Sequence, residues 1–189
     1  MKRCDWANTS SLEIHYHDEE WGVPIHDDRM LFEMLILEGA QSGLSWLTIL
    51  KKREGYLKAF DNFDVNKIAL YGTKKVEILR HNAEIVRNKM KINACIENAK
   101  RFLEIQQEYG SFDRYIWSFV GGKAINNQWT CIEDVPSMSE VSKKMSIGLK
   151  EKGLKFVGPT ICYAYMQAVG MVNDHITSCF RYKETQEIS

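Results

Sequence analysis

The sequence predicts an all-α protein, and three observations support this fold class. Apolar residues recur at intervals of three and four along most of the 189-residue chain, which is the spacing of amphipathic helices. Ser, Thr or Asp precedes most of these segments, where helix N-caps are expected. No useful length of the chain shows the alternation of a strand, and there is no internal repeat or low-complexity tail.

The first half of the chain is predicted to form five helices, each with a recognisable start. Ser10 or Ser11 caps a helix that Trp21-Gly-Val-Pro24 stops, Asp27 or Asp28 caps a second, Ser45 caps a third that runs toward Phe60, Asp64 begins a short fourth to Tyr71, and Thr73 begins a fifth to about His81.

The second half is predicted to hold longer helices around one irregular stretch. They are a long helix from Glu84 to Tyr109, whole or interrupted and ending at Gly110, a short aromatic helix from Phe112 to Val120, an irregular stretch from Gly121 to Pro136 anchored by Trp129, a helix from Ser139 to Lys152, and a last long helix from Pro159 to Gly170.

The second predicted helix of the chain, which Asp27 or Asp28 caps, carries a carboxylate where an apolar residue is expected. Its apolar stripe continues by steps of three and four onto Glu38, and an unpaired buried charge is costly. Gly39, Gly43 and Ser45 then predict a break and a fresh cap, after which Trp46 opens the next stripe. Taken singly, the two side chains also fit a partly exposed glutamate and a core tryptophan.

Composition limits the classes of function. No segment approaches the roughly 18 apolar residues of a membrane span, and the amino terminus lacks a secretory signal. Five scattered cysteines argue against a disulfide framework, so we expect a reduced, cytoplasmic protein. Net charge is zero, but residues 1–40 hold three basic and nine acidic residues. Any surface for a polyanion is therefore expected in the later part of the chain.

A glycine-containing turn between two helices is the first candidate binding site. A helix ends near Gly153, a short turn leads to Gly158, and a new helix starts at once. Free amides at such a helix start can bind a phosphate, and Lys150, Lys152 and Lys155 around the turn suit a DNA backbone. An ordinary turn between packed helices would give the same pattern.

Candidate metal ligands lie at the two ends of the chain: Cys4 and His17 near the start, His175 and Cys179 near the finish. The last two are four residues apart, which on a helical turn brings both to one face. Four such ligands make a closed structural zinc site that would clip the termini together, whereas the alternative is ordinary free thiols. The remaining cysteines, in or near apolar segments, are expected in the core: Cys95, Cys131 and Cys162.

Four aromatic residues form the third candidate group: Trp6, Tyr16, Trp21 and Trp46. Most aromatic side chains in a chain of this kind belong to the core. A pocket of such rings closed by the carboxylate of Glu38 would instead favour a flat cationic ligand, through stacking, cation–π attraction and charge pairing.

Several motifs occur together, in order, over essentially the whole chain: Cys4, Tyr16-His17-Asp18, Glu20-Trp-Gly-Val-Pro24, Leu37-Glu38-Gly-Ala-Gln-Ser-Gly-Leu-Ser-Trp46, Lys51-Lys-Arg53, Trp117-Ser-Phe-Val120, Lys155-Phe-Val-Gly158 and Val172-Asn-Asp-His175. In this combination the chain resembles the type I 3-methyladenine-DNA glycosylases, bacterial base-excision repair enzymes of the helix-hairpin-helix superfamily.

The resemblance implies one glycosylase domain over residues 1–189, with two helical lobes and a DNA groove and base pocket between them. It implies one structural zinc ion per chain, held by Cys4, His17, His175 and Cys179. It assigns catalysis to Glu38 and base binding to Tyr16, Trp46, Trp6 and Trp21. It assigns DNA contacts to the turn Gln41, Gly43 and Leu44, which would face the gap in the duplex, and to Gly153, Lys155, Gly158 and Thr160.

The implied reaction is hydrolytic release of 3-methyladenine flipped out of double-stranded DNA, without strand cleavage. We expect a monomer with no membrane or protein partner. Two alternatives stay open: a zinc-stabilised DNA-damage binder without turnover, and a glycosylase that also accepts 7-methylguanine or 3-methylguanine. Many superfamily members carry a catalytic Asp where this chain has Asn173. We expect that charge to be dispensable for a cationic base, although Asp174 could take the role.

Overall fold

The computed structural model describes residues 1–188, within which ten α-helices account for most of the chain. They are α1 (Ser11–Glu19), α2 (Asp28–Gln41), α3 (Trp46–Ala59), α4 (Val65–Ala69), α5 (Thr73–His81), α6 (Lys89–Tyr109), α7 (Phe112–Trp117), α8 (Glu140–Glu151), α9 (Pro159–Ala168) and α10 (Arg181–Ile188). Short 3-10 turns cover Asp5–Asn8, Asp61–Phe63, Ser118–Val120 and Ile132–Asp134. The predicted all-α class is confirmed at the level of a mostly helical chain.

The predicted helix starts are largely confirmed, because side chains cap the helices locally. Ser10, Asp27, Ser45, Asp64 and Ser139 each accept a hydrogen bond from a backbone N–H in the first turn of the helix that follows. The first residue of α9 is a proline, the position where its missing N–H costs nothing.

Two predicted boundaries are wrong. The long helix begins at Lys89 rather than Glu84, because the Asn88 side chain accepts from two first-turn amides and caps it there. Gly39 does not break α2, which continues to Gln41. This glycine is needed for close packing, since a Cβ there would lie 3.2 Å from the Cβ of Phe156.

The stretch from 121 to 136 is irregular, as predicted, except for the 3-10 turn at Ile132–Asp134 and a two-residue strand β1 (Ile125–Asn126). It pairs in parallel with β2 (Val172–Asn173), too short a ladder for alternation to reveal. Trp129 anchors the stretch, because its Nε1 donates to Asp174 over 2.8 Å and its carbonyl accepts from the N–H of Thr177. Helix α10 was not anticipated from the sequence.

Helix α2 lies at the centre of the packing. It contacts α3, α6, α7 and α9, and every residue from Leu31 to Ala40 is buried. A helix enclosed in this way buries polar side chains as well as apolar ones, so each carboxylate on it needs a partner or a cavity. None of the helices within residues 1–188 has the length and apolar character needed to cross a membrane.

Candidate active site and metal cluster

A cavity of about 320 Å³ opens beside α2 and is enclosed mainly by α1, α2, α3 and α9. All five predicted pocket residues line it, together with one residue of the predicted DNA-contacting turn: Trp6, Tyr16, Trp21, Glu38, Trp46 and Gln41. Four further lining residues were not predicted from the sequence: Glu13, Ile132, Ala164 and Gln167.

The aromatic walls come from separate segments that meet at the cavity. Trp6 lies on the first 3-10 turn, Tyr16 on α1, and Trp46 is the first residue of α3, placed there by the Ser45 cap. The ring centroids of Trp6 and Trp21 are 5.1 Å apart, and those of Tyr16 and Trp46 are 5.2 Å apart. The first pair is edge-on, at 78°, and the second is tilted, at 51°, so the walls offer aromatic surface on several sides to a flat ring system.

Glu38 supplies the buried carboxylate of the cavity, whereas Glu13, the other lining glutamate, accepts a hydrogen bond from Ser10 at the start of α1. The side chain of Glu38 is 4% exposed, and burial raises its pKa to about 8, with no cation or hydrogen-bond donor acting to lower it. Burial also raises the pKa of Tyr16, and the nearby charge of Glu38 raises it further. A cationic ligand in the cavity would supply the charge partner that Glu38 lacks.

Glu33, five residues earlier on α2, shows what a structural buried carboxylate looks like in this protein. It is equally buried, at 3% exposed, but accepts from Arg53 Nε at 2.7 Å and from Arg29 at 2.9 Å. Arg53 also pairs with Glu20 at 2.6 Å, which ties the end of α1 to α2 and α3. The two glutamates differ in whether the fold provides their counter-charge, and Glu38 is the one that faces an open cavity.

Asp174 is buried and fully occupied by hydrogen bonds. Asn127 and Trp129 donate to one carboxylate oxygen, and Tyr163 and Gln167 donate to the other, over 2.6–2.8 Å. A carboxylate with four donors has no lone pair free for a substrate or water. Asp174 therefore has a structural role, which is to anchor the stretch from 121 to 136.

The four candidate metal ligands come together and are all buried: Cys4, His17, His175 and Cys179. Their ligating atoms lie within 4.8 Å of one another, so the cluster could hold a metal ion. The Cys4 Sγ lies 3.7 Å from His175 Nδ1, and the Cys179 Sγ lies 3.6 Å from that atom and 3.4 Å from His17 Nε2. Among the described residues, this cluster joins the two ends of the chain.

Both imidazoles are oriented by a second partner. The Nδ1 of His17 lies 2.8 Å from Asp18, which Arg3 holds in turn, and the Nε2 of His175 donates to the carbonyl of Trp21 over 3.0 Å. Each ring therefore turns its other nitrogen toward the sulfurs. The pKa of the Cys179 thiol lies well below its usual range, because Cys4 donates to it and both imidazoles lie beside it.

Two predictions about cysteines are wrong. His175 and Cys179 lie in the loop and turn between β2 and α10, not on a helical turn, and the turn itself brings them together. Cys131 is half-exposed and donates to Asp134, because its neighbours on the irregular stretch leave it near the surface. Cys95 and Cys162 are buried, as predicted.

The glycine turn before α9 has the geometry of an anion site. Gly153 has a φ of +87°, and Gly158 occupies the N-cap position of α9 without a side chain to satisfy the first amides. A Cβ at Gly158 would meet nothing within 4 Å, so packing does not require glycine there. Lys155 and Thr160 are exposed beside the turn. Lys152, however, is engaged by Glu108 at 2.6 Å.

The turn between α2 and α3 projects from the rim of the cavity. Gly43 has a φ of +80° with no atom within 4 Å of a Cβ position, and Leu44 keeps 41% of its surface exposed. Gln41 reaches the cavity from the same turn. The predicted contact residues of this segment thus occupy one exposed tip.

Comparisons with known proteins agree with one another over nearly the whole chain. A family model described as methyladenine glycosylase matches residues 6–182. DNA-3-methyladenine glycosylase 1 of Escherichia coli (strain K12) is 46% identical over 182 residues, 96% of this chain and 97% of that protein. A crystal structure of 3-methyladenine DNA glycosylase I is 49% identical, with a TM-score of 0.93 over 95% of this chain and 98% of that one. A variant of 3-methyladenine DNA glycosylase I in complex with 3-methyladenine is 34% identical, with a TM-score of 0.92 over 95% of this chain and 97% of that one.

Proposed function

The chain belongs to the methyladenine glycosylase family, and from this we propose that it excises 3-methyladenine from alkylated DNA in base-excision repair, as a monofunctional hydrolase. The observation that carries the site assignment is the buried, unpaired carboxylate of Glu38 in a cavity walled by aromatic rings. Within residues 1–188 no cation pairs with this carboxylate, so the arrangement complements a flat cationic ligand.

Recognition of the damaged base rests on its charge. Methylation at the ring nitrogen leaves the adenine positively charged within DNA, while undamaged adenine is neutral. The carboxylate of Glu38 accepts hydrogen bonds from the exocyclic amino group and pairs with the charge, and the rings of Tyr16 and Trp46 stack on the base. The Trp46 Nε1 is buried without a hydrogen-bond partner among the described residues. A neutral base gains less binding free energy from the same contacts, while flipping it out of the duplex still costs free energy, so the pocket discriminates against undamaged adenine.

The chemical step needs little acid assistance. The bond between the sugar C1′ and the base nitrogen breaks, its electron pair neutralises the positive charge of the leaving base, and the sugar develops oxocarbenium character. Water adds at C1′ and loses a proton, giving free base and an abasic site. No lysine nucleophile takes part, so the strand is not cut. Asp174 is occupied by four donors, and we assign it no catalytic role.

DNA binding is assigned to two elements. We assign a phosphate contact to the backbone amides at the start of α9, because no side chain caps this helix and the space beside Gly158 is open. The residues assigned to this contact are Gly153, Lys155, Gly158 and Thr160. The tip formed by Gln41, Gly43 and Leu44 enters the gap left by the flipped base. Both assignments come from the family resemblance, and the exposure and backbone geometry of the two segments support them.

The metal in the cluster is assigned as one structural zinc ion. Tetrahedral zinc, with bonds of about 2.3 Å to sulfur and 2.0–2.1 Å to nitrogen, places sulfur and nitrogen ligands about 3.6 Å apart. Three of the four sulfur–nitrogen separations, at 3.4–3.7 Å, fit this value, and the oriented imidazoles are typical of metal ligands. When bound, the ion would supply a cross-link between the two ends of the chain. We further expect one glycosylase domain of two lobes, monomeric and cytoplasmic.

The test is release of free base from methylated duplex DNA, separated by chromatography, by the wild type and by Glu38→Gln. Wild type should release 3-methyladenine, and the variant should release it at least about 100-fold more slowly, since a charge-assisted contact to the reacting base is lost. Glu77→Gln, at an exposed site on α5, is the matched control and should behave as wild type. Binding of methylated DNA without release would favour the damage-binding alternative, and release of 7-methylguanine or 3-methylguanine would favour the broader glycosylase.

A further inference from the structure

One face of α6 contacts both elements assigned to DNA binding. Lys91 and Asn98 are seven residues apart, close to two turns at about 3.6 residues per turn, so they lie on the same side of the helix. Lys91 reaches the turn after α2, and Asn98 reaches the turn before α9.

Lys91 closes the carboxyl end of α2. Its Nζ donates to the carbonyl of Ala40 over 2.8 Å and to the carbonyl of Ser42 over 2.7 Å. The last carbonyls of a helix have no intrahelical partner and carry the negative end of its dipole, and α2 has no basic residue in its own last turn. The cap that holds the tip at residues 41–44 is therefore supplied by another helix.

Asn98 holds the second element through its backbone. Its side-chain amide is 3% exposed, donates to the carbonyl of Lys155 over 3.0 Å and accepts from the N–H of Lys155 over 2.7 Å. The next residue, Phe156, has a φ of +55°, which is uncommon for a non-glycine residue, and it packs against Gly39 beside Glu38. Helix α6 thus fixes the turn in a conformation it would not adopt freely.

We propose that Lys91 and Asn98 are positioning residues that fix the spacing between the tip at 41–44 and the phosphate-binding turn at 153–158. A phosphate bound at the turn at 153–158 then determines where the tip at 41–44 contacts the duplex. Because the tip follows α2, the same phosphate also determines the position of Glu38 relative to the flipped base. This inference rests on the proposed function. Removing Lys91 should leave the protein folded: water can satisfy the carbonyl of exposed Ser42, and the loss of the donor to the carbonyl of buried Ala40 destabilises the protein without unfolding it.

The experiment compares Lys91→Met with Lys100→Met. Lys100 lies nine residues further on α6, on the opposite face, and pairs with Glu97, so the control removes the same charge from the same helix. Single-turnover release from methylated duplex should slow by about 10- to 100-fold in Lys91→Met, since small misplacements of a reacting group have effects of this size. Affinity for free 3-methyladenine, followed by tryptophan fluorescence, should stay unchanged, and Lys91→Arg should restore most of the rate.

Salt dependence separates positioning from direct DNA contact. A lysine bound to a phosphate contributes close to one unit to the slope of log affinity against log salt, and a positioning lysine contributes none. We expect the slopes of Lys91→Met and wild type to agree. A slope reduced by about one unit, a parallel loss of free-base affinity, or a release rate equal to that of Lys100→Met would each overturn the inference while leaving the proposed function intact. Wild type that releases no base would overturn the proposed function itself.

A second variant, Asn98→Ala, tests the other end of the spacing. It leaves the backbone groups of Lys155 without their partner, so we expect slower release from DNA with the free-base affinity retained. Retained free-base affinity also shows that the variant is folded. Release at the wild-type rate would show that Asn98 does not position the turn at 153–158 for catalysis.

Discussion

Substituting Glu38 by Gln should make the protein more stable at alkaline pH while it loses activity. The pKa of Glu38 is raised from 4.5 to about 8 by burial alone. The folded state therefore keeps a proton that the unfolded chain releases between these two values. The contribution of protonated Glu38 to the free energy of unfolding is complete below pH 4.5 and is lost as the pH rises through about 8. Glutamine has no proton to lose, so the variant lacks this dependence.

The size of the effect follows from the same two pKa values. Each pH unit between them corresponds to about 1.4 kcal/mol, so ionisation of Glu38 costs the folded protein up to about 5 kcal/mol at pH 9 and less than about 1 kcal/mol at pH 5. The buried amide of the variant has its own cost of about 1–3 kcal/mol, which is the same at both pH values and cancels from the difference.

The assay is urea denaturation of both proteins from pH 5 to pH 9. The stability difference, variant minus wild type, should grow with pH by several kcal/mol and level off above about pH 8. In parallel, kcat/KM of the wild type on methylated DNA should rise with pH through about 8, because a cationic base needs the ionised carboxylate. Stability curves that stay parallel over the whole range would show that Glu38 is ionised in the empty pocket and would refute the reasoning.

Three further predictions concern the supports of the pocket. Arg53→Met leaves Glu33 buried with one partner, and the free energy of unfolding should fall by about 3 kcal/mol in urea denaturation at pH 7; an unchanged value would mean that Arg29 alone suffices. Cys179→Ala should abolish stoichiometric zinc, measured by elemental analysis of the purified protein, and lower the melting temperature; full zinc content in the variant would contradict the ligand set. Asp174→Asn should cost about 2–3 kcal/mol in stability with zinc and base release largely retained, because four donors lose their charged acceptor. Loss of release with zinc and fold intact would give Asp174 a catalytic role.

The parts of the site that sequence reasoning found are those with a local signal. Glu38 interrupts an apolar stripe at helical spacing, and Ser45 caps the helix that begins with Trp46, so both features are visible within a few residues of chain. The same locality explains why most helix starts were predicted and why Lys89 was not. In the sequence, Asn88 follows several polar residues and can be part of a longer helix. Its role as the N-cap is visible only in the structure, where its side chain accepts hydrogen bonds from two first-turn amides.

The parts that were missed depend on contacts between distant segments. Glu33 gives no sign of burial, because its main partner Arg53 lies twenty residues away on another helix. Gln167 enters the pocket because its amide is held by Asp174, and Ile132 enters from a stretch with no periodicity at all. Pairings of this kind are set by tertiary packing, and a single sequence carries no record of which polar side chains will meet.

The Cys/His cluster and the pocket share one segment, so a metal ion bound in the cluster would be linked to recognition of the base. Tyr16 faces the cavity and the next residue, His17, faces the cluster, and these two are the buried residues of α1. The ring of Trp21 lines the cavity 4.6 Å from the ring of His175, while its carbonyl accepts from that imidazole. A nine-residue helix with so little apolar surface is marginal by itself and takes its position from tertiary contacts. A cross-link at the cluster therefore fixes two aromatic walls of the pocket, so loss of the metal should weaken binding of the free base before it unfolds α2.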